Sequence, residues 1–211
     1  MSTAFRSGVD PARDRRSRPT REDPKRKQLL QDLEEIFLDE GFSSLTTDDL
    51  CKRLRCSKST LYSVAGSREQ INQAVVRHFF AHSTAAIEAE VSATTDPARR
   101  IVEYLKGVGE AMNRNSPAFY EDMVSYPPTA EIYRLNSRAA ADRVQAMIEE
   151  GLRDGIFRSA DAALASLTVA YLMDGVQSGE VLETTGLSAG EAFAELGELL
   201  VHGLAVRSGT A

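Results

Sequence analysis

The chain is short of the groups on which most chemistry depends. Cysteine occurs only twice in 211 residues, as Cys51 and Cys56. No His/Cys cluster surrounds them, so neither a zinc site nor a disulfide framework is expected, and a cytoplasmic, reducing location fits. No stretch reaches the length of about 18 apolar residues that a membrane-crossing helix needs, so no membrane partner is expected. The arginine-rich N-terminus has no apolar run behind it and does not read as a secretory signal. There is no nucleophile elbow, no glycine-rich phosphate motif and no paired metal-binding histidine signature. His78 and His82 stand four apart, but no third ligand accompanies them, so they read as surface or partly buried histidines. These absences leave no reaction to propose: no enzyme, no cofactor and no metal are expected.

What is present is an uneven distribution of charge. The net charge is −6, yet Met1 to Leu30 holds nine Arg and Lys against four acids, a net of +5. Met1 to Gln70 carries +2 and Ile71 to Ala211 carries −8. Phosphate affinity follows local basic patches rather than the total. Residues 1–23 contain six arginines and almost nothing apolar to bury. They read as a disordered basic arm able to touch phosphates or enter a minor groove. The hydrophobic content of 42% is enough for packed cores beyond that arm.

The most informative stretch is Ser44 to Ile71, SLTTDDLCKRLRCSKSTLYSVAGSREQI. Thr46 or Thr47 is a suitable N-cap, and Asp48 and Asp49 would sit in a first turn where acidic groups favour the helix's positive end. Leu50 and Leu54 then share one face of a short helix. A second short helix is expected to open at Ser57 and run through Leu61 and Tyr62. Leu61 would turn back to the apolar face, leaving Lys58, Ser59, Thr60 and Tyr62 outward. Such a face suits a major groove, where lysine, hydroxyl and phenol groups reach phosphates and base edges. By spacing alone, an ordinary helical hairpin with a solvated face explains the stretch equally well.

The flanks distinguish the two. A helix ends in Glu40-Gly41-Phe42, Leu45-Thr46-Thr47 follows, then the helix pair with Ser57-Lys58-Ser59-Thr60-Leu61-Tyr62, then Gly66-Ser67-Arg68-Glu69-Gln70-Ile71 opens a long helix. From about Lys25 to Phe80 this order resembles the DNA-binding domain of the tetracycline-repressor (TetR) family of bacterial transcription regulators. The resemblance implies an all-α fold of about nine helices. Residues 24–70 would form a three-helix, helix-turn-helix head, and 71–211 a ligand-binding and dimerisation domain. DNA contacts are then expected from Lys25, Arg26, Thr46, Thr47, Ser57, Lys58, Ser59, Thr60, Tyr62 and Arg68. Two departures stand out. Arg55 occupies a turn position where the family usually carries glycine, which costs about 1 kcal/mol or more if the backbone needs a positive φ there. Val64-Ala65 replaces the His-Phe that often follows the recognition tyrosine. Both departures favour the alternative of a helical adaptor that has lost DNA binding; Lys58, Thr60, Tyr62 and Arg68 speak against it. Cys51 and Cys56 read as buried, inert thiols.

Beyond the head, apolar periodicity and caps predict helices from Ser67 to about Ala93, from Asp96-Pro97 to about Arg114, from Ser116-Pro117 to Tyr126, from about Thr129 to Arg153, from Asp161 to about Glu183, and from Ser188 to about Val206. The middle helices are rich in aromatics and methionines. The resemblance raises the prospect of a cavity for a small, largely apolar ligand, expected on the face of Tyr104, Met112, Phe119, Met123, Met147 and Tyr171. The last two long helices are apolar and small-residue-rich on more than one face. Gly175, Ser178, Gly179, Leu196, Leu200 and Gly203 are expected at a homodimer interface, whose two-fold axis would pair two recognition helices on a pseudo-palindromic operator.

Overall fold

The computed structural model describes residues 24–205, and the expected basic arm, residues 1–23, lies outside them. The described residues form ten α-helices and no strand: α1 Pro24–Glu40, α2 Thr47–Arg53, α3 Lys58–Leu61, α4 Arg68–Ala93, α5 Pro97–Asn113, α6 Pro117–Ser125, α7 Pro127–Arg153, α8 Ala162–Gln177, α9 Glu180–Thr185 and α10 Ala189–Leu204.

Local chemistry sets most of these boundaries. Ser57, Ser67, Ser116, Asp161 and Ser188 each accept a backbone N–H in the first turn of the following helix. Thr46 and Asp49 form a reciprocal capping box on α2. Pro97, Pro117 and Pro127 stand at or beside the first helical position, where the missing N–H costs nothing. Pro127-Pro128 opens α7 directly after α6, so that helix starts two residues earlier than periodicity suggests.

The count of about nine helices is corrected to ten. The segment expected as one helix to about Glu183 breaks at Gly179, whose φ is +84°, and restarts as the short α9. A left-handed residue ends an α-helix, and glycine adopts that conformation without the Cβ penalty.

Two hydrophobic clusters hold the fold. The first joins Leu33 and Phe37 of α1, Leu50 of α2, Leu61 of α3 and Ile71, Val75 and Phe79 of α4 to Phe119 and Met123 of α6 and Ile132 and Tyr133 of α7. The head therefore shares its core with the helices beneath it. The second cluster packs α5, α7, α8 and α10 around Leu105, Ile148, Val169, Met173 and Phe193. α6 reaches into the head through polar contacts as well. The Asp122 carboxylate accepts the Phe42 and Ser43 N–H groups at 2.5 and 2.7 Å. The Ser116 N–H donates to the Leu38 carbonyl at 2.9 Å.

Candidate nucleic-acid interface and cavity

The helix pair folds as its spacing dictates. Leu50 and Leu61 are fully buried against each other's helices, with Val64 closing the core below them. That leaves Ser57, Lys58, Ser59 and Thr60 exposed on one face, with Tyr62 at its edge. Their hydroxyls are already ordered: Ser57 Oγ lies 2.9 Å from both Ser59 Oγ and Thr60 Oγ1. Tyr62 Oη stands 3.5 Å from Thr47 Oγ1, so one residue of α2 and one beyond α3 meet across the groove between the helices. Lys58 Nζ pairs with Asp48 at 2.8 Å, and this neighbour raises its affinity for a proton. Both side chains remain mostly exposed, so the pair contributes little to stability and gives way easily to a phosphate.

Three expected contacts have other employment. Thr46 is committed to the capping box: its hydroxyl and its N–H both face Asp49, which holds that carboxyl below its ordinary range. Arg26 donates from Nη2 to the Val64 carbonyl at 2.9 Å, tying α1 to the turn that follows α3. Arg68 differs most from expectation. Its guanidinium turns inward, donates to the Phe42 carbonyl at 2.9 Å, the Leu45 carbonyl at 3.3 Å and the Asn72 side chain, and lies 5.2 Å from the centre of the Phe37 ring. Burial pushes its pKa down. In this arrangement Arg68 staples the loop before α2 to the start of α4 and does not face outward. Lys25 is exposed at the start of α1.

The two departures acquire physical explanations. Arg55 has φ +49°, the one positive φ among the described non-glycine residues. The turn therefore keeps the left-handed geometry and carries its steric cost. Val64 is buried, and Ala65 packs half-buried against the same cluster, so this pair contributes core volume where the polar residue of the common pattern would not. The cysteines are only half-buried, which corrects their expected full burial. Desolvation, followed by the neighbouring Cys51, raises the Cys56 thiol pKa, which suppresses its thiolate.

His78 and His82 take part in a polar junction under the head. Glu34 of α1, 4% exposed, faces His78 Nδ1 at 2.5 Å, with His82 Nδ1 and Arg114 each at 3.8 Å. No group of three or more His, Cys, Asp or Glu among the described residues is arranged to hold a metal ion.

Below the head, α4, α5, α6, α7 and α8 line a partly open cavity of about 300 Å³. Tyr104, Met112 and Met123 line it, together with Phe79, Phe80, Ile87, Tyr133 and Met173. Phe119 is buried beside it, stacked edge-on against Phe42 and Phe79, and Met147 is packed into the second cluster. Tyr171 is 67% exposed on α8 and does not line the cavity. Its helical turn placed it among apolar neighbours in sequence, but on the outward face. Two charged side chains stand in the wall. Arg143 donates to both Glu88 oxygens, at 2.8 and 3.1 Å. Beside them the Tyr104 hydroxyl is pushed up to about 12, first by burial and then by Glu88.

The residues expected at a dimer interface separate. A Cβ on Gly175 would meet Val181 Cγ2 at 2.7 Å, so its small size serves the α8–α9 corner within the chain. Gly179 makes the left-handed break before α9. Ser178 is exposed and bonds the Gly175 carbonyl. Leu196 and Leu200 are half-buried against the second cluster, and Gly203 is exposed with open space around it. The exposed apolar stripe lies elsewhere on the same helices: Leu164, Leu167 and Tyr171, at i, i+3 and i+7 of α8, and Leu199 of α10. Because α8 is apolar on most of its faces, its sequence does not single out the exposed one.

No protein-family profile matches the sequence. Over 153 residues the chain is 24% identical to the HTH-type transcriptional activator FasR of Mycolicibacterium smegmatis, covering 70% of each protein. Among solved structures, a TetR transcription regulator from Haloarcula marismortui superposes with a TM-score of 0.72 at 16% identity, over 86% of this chain and 98% of that one. The TetR-family regulator PfmR from Thermus thermophilus superposes at 0.62 and 20% identity, over 83% and 97%. No described helix is long and apolar enough to cross a membrane. The chain has the fold of the TetR-family transcriptional regulators.

Proposed function

We propose that this chain is a DNA-binding transcriptional repressor of the TetR family, and that it acts as a homodimer on a pseudo-palindromic operator and is released by a small, largely apolar ligand. The observation that carries the DNA-binding reading is the exposed, pre-ordered face of Ser57, Lys58, Ser59, Thr60 and Tyr62, held over a core of Leu50, Leu61 and Val64. The relative FasR and the fold support regulation as the role. The apolar stripe of Leu164, Leu167, Tyr171 and Leu199 supports a second copy as partner. The cavity beneath α4 supports a ligand. Ligand would act by population shift, lowering DNA affinity by the difference in its affinity for the two head spacings.

The test is fluorescence-anisotropy titration against DNA from upstream of the protein's own and neighbouring genes, with a scrambled duplex at fixed salt. Tight binding to one pseudo-palindrome is expected. Lys58→Ala should weaken it across sequences and reduce the slope of log affinity against log salt by about 1. Tyr62→Ala should weaken it with the dimer intact on sizing. Binding no better than to the scrambled duplex would turn the assignment toward the adaptor reading. Because the FasR relative is named an activator, a promoter-reporter assay with the gene deleted reads the sign: reporter output rises if the protein represses and falls if it activates.

A further inference from the structure

Three polar atoms among the described residues are buried without a hydrogen-bond partner: Ser83 Oγ, Asn115 Oδ1 and Tyr133 Oη. All three belong to residues that line the cavity beneath α4, and Ser83 also borders a neighbouring recess between α4 and α5. They come from α4, from the α5–α6 connection and from α7, three different sides of the wall. Ser137 lies beside the Tyr133 hydroxyl without hydrogen-bond geometry, and burial raises that hydroxyl's pKa well above its usual value. Buried polar groups are ordinarily paired, because an unpaired one forfeits its hydration with no return. Three such groups around a single apolar cavity mark what its occupant must supply. The Asn115 oxygen accepts, and the serine and tyrosine hydroxyls both donate and accept.

The charged groups narrow the class further. Glu88 and Arg143 are the charged side chains of the wall, and the bidentate hydrogen bonds between them satisfy each other. An ionised ligand would find no free counter-charge in the wall and would have to break that pair or leave its own charge uncompensated against the apolar lining. The volume of about 300 Å³ lies at the lower edge of small-molecule pockets.

We infer that the cavity takes a neutral, mainly hydrocarbon molecule bearing at least one hydroxyl, which engages Ser83, Asn115 and Tyr133 while the Glu88–Arg143 pair stays closed. This rests on the ligand-responsive reading above but is tested without DNA. Decan-1-ol, decane, decanoate and decyltrimethylammonium are titrated below their aggregation limits into the full-length protein, by calorimetry and by thermal shift. Decan-1-ol is expected to bind tightest, with both ions at least about ten-fold weaker because their charge is buried unpaired. Tyr133→Phe and Ser83→Ala each remove an unpaired group, so the ligand-free protein should keep or slightly raise its melting temperature. Each should lose about 2- to 10-fold of its affinity for decan-1-ol, the equivalent of one net hydrogen bond, and none for decane.

Tighter binding of decanoate or of the quaternary ammonium would overturn the neutral class. Equal binding of decane and decan-1-ol, or unchanged decan-1-ol affinity in both variants, would overturn the role of the hydroxyl. Absence of binding by all four probes would overturn the inference altogether. Failure of the regulator reading appears separately, as loss of operator preference in the anisotropy titration whatever the calorimetry gives.

Discussion

Gly41→Ala attacks the joint between α1 and the recognition helices at a point where the structure specifies the cost. Gly41 has φ +76°, a conformation in which an L-residue is strained by about 1–2 kcal/mol. The added Cβ would also lie 2.5 Å from Asp122 Oδ2 and 3.1 Å from the Ala118 carbonyl. The carboxylate can swing away, but it accepts the Phe42 and Ser43 N–H groups and would lose them. Charge-assisted bonds of this kind, discounted for their partial exposure, are worth about 1–2 kcal/mol together. The expected loss is therefore about 2–4 kcal/mol, or roughly 5–15 °C in melting temperature for a chain of this size. Differential scanning calorimetry reads it. The decisive comparison is a double-mutant cycle with Asp122→Ala, which removes both the obstructing oxygen and the bonds. In that background Gly41→Ala should cost less, by about 1–2 kcal/mol, because only the backbone strain and the Ala118 contact remain. Strictly additive losses would show that Gly41→Ala does not act through Asp122, and a loss below about 0.5 kcal/mol for Gly41→Ala alone would refute the strain argument as well.

Arg55→Gly should leave stability unchanged or raise it by up to about 1 kcal/mol, since relief of the left-handed strain at φ +49° outweighs the extra freedom of the unfolded chain; a clear fall in melting temperature would mean the arginine side chain supports the turn. Arg68→Ala should lower stability by about 1–3 kcal/mol through the loss of its bonds to the Phe42 and Leu45 carbonyls, of which only the first keeps another donor, the Leu45 N–H, and through lost packing on Phe37, with DNA affinity changing only in step with the folded fraction; a stable variant with weakened operator binding would restore Arg68 to the interface. Glu34→Gln should cost about 1–3 kcal/mol by urea denaturation, because its buried carboxylate bonds His78 at 2.5 Å. Leu167→Glu with Tyr171→Glu should leave helix content intact by circular dichroism and yield a monomer by light scattering; an unchanged mass would move the interface off the exposed stripe of α8.

The fold was legible wherever a local signal decides structure. Caps such as Ser57, Ser67 and Ser188 are read by the helix that follows them, and their register matches to within a residue or two. At Arg55 the comparison with a glycine position left two options, a left-handed residue or a turn built differently, and the structure has the first. The site was harder to read where direction in space decides the outcome. Arg68 is basic and sits at the start of a helix close to α3, yet the Phe42 and Leu45 carbonyls and an aromatic face inside the head draw it inward. Tyr171 and Met173 are two residues apart on one helix; the methionine lines the cavity and the tyrosine faces solvent. A mixed apolar helix such as α8 gives too weak a periodic signal to separate them. Glu34 was hidden for a similar reason, since its partners come from α4 and from the end of α5, tens of residues away in sequence.

The placement of α6 bears on how a ligand in the cavity and DNA at the head would influence each other. Three residues within two turns of this helix face three different structures. Phe119 lies edge-on between Phe42 of the head and Phe79 of α4. Asp122 holds the backbone of the loop that leads to α2. Met123 forms part of the cavity wall and is fully buried. A close-packed contact of this kind does not deform smoothly, because displaced side chains must find other rotamers. An occupant that pressed on Met123 would shift Asp122 and Phe119 with it, and the loop before α2 would follow. The same contact runs in reverse: DNA that fixes the head would fix the wall of the cavity, as linkage requires of any binding coupling. The head has no sealed core of its own, since Phe119, Met123, Ile132 and Tyr133 complete it from below. Its small size, which leaves α1, α2 and α3 unable to bury enough surface alone, is therefore the physical reason that these helices and the cavity share one packed cluster.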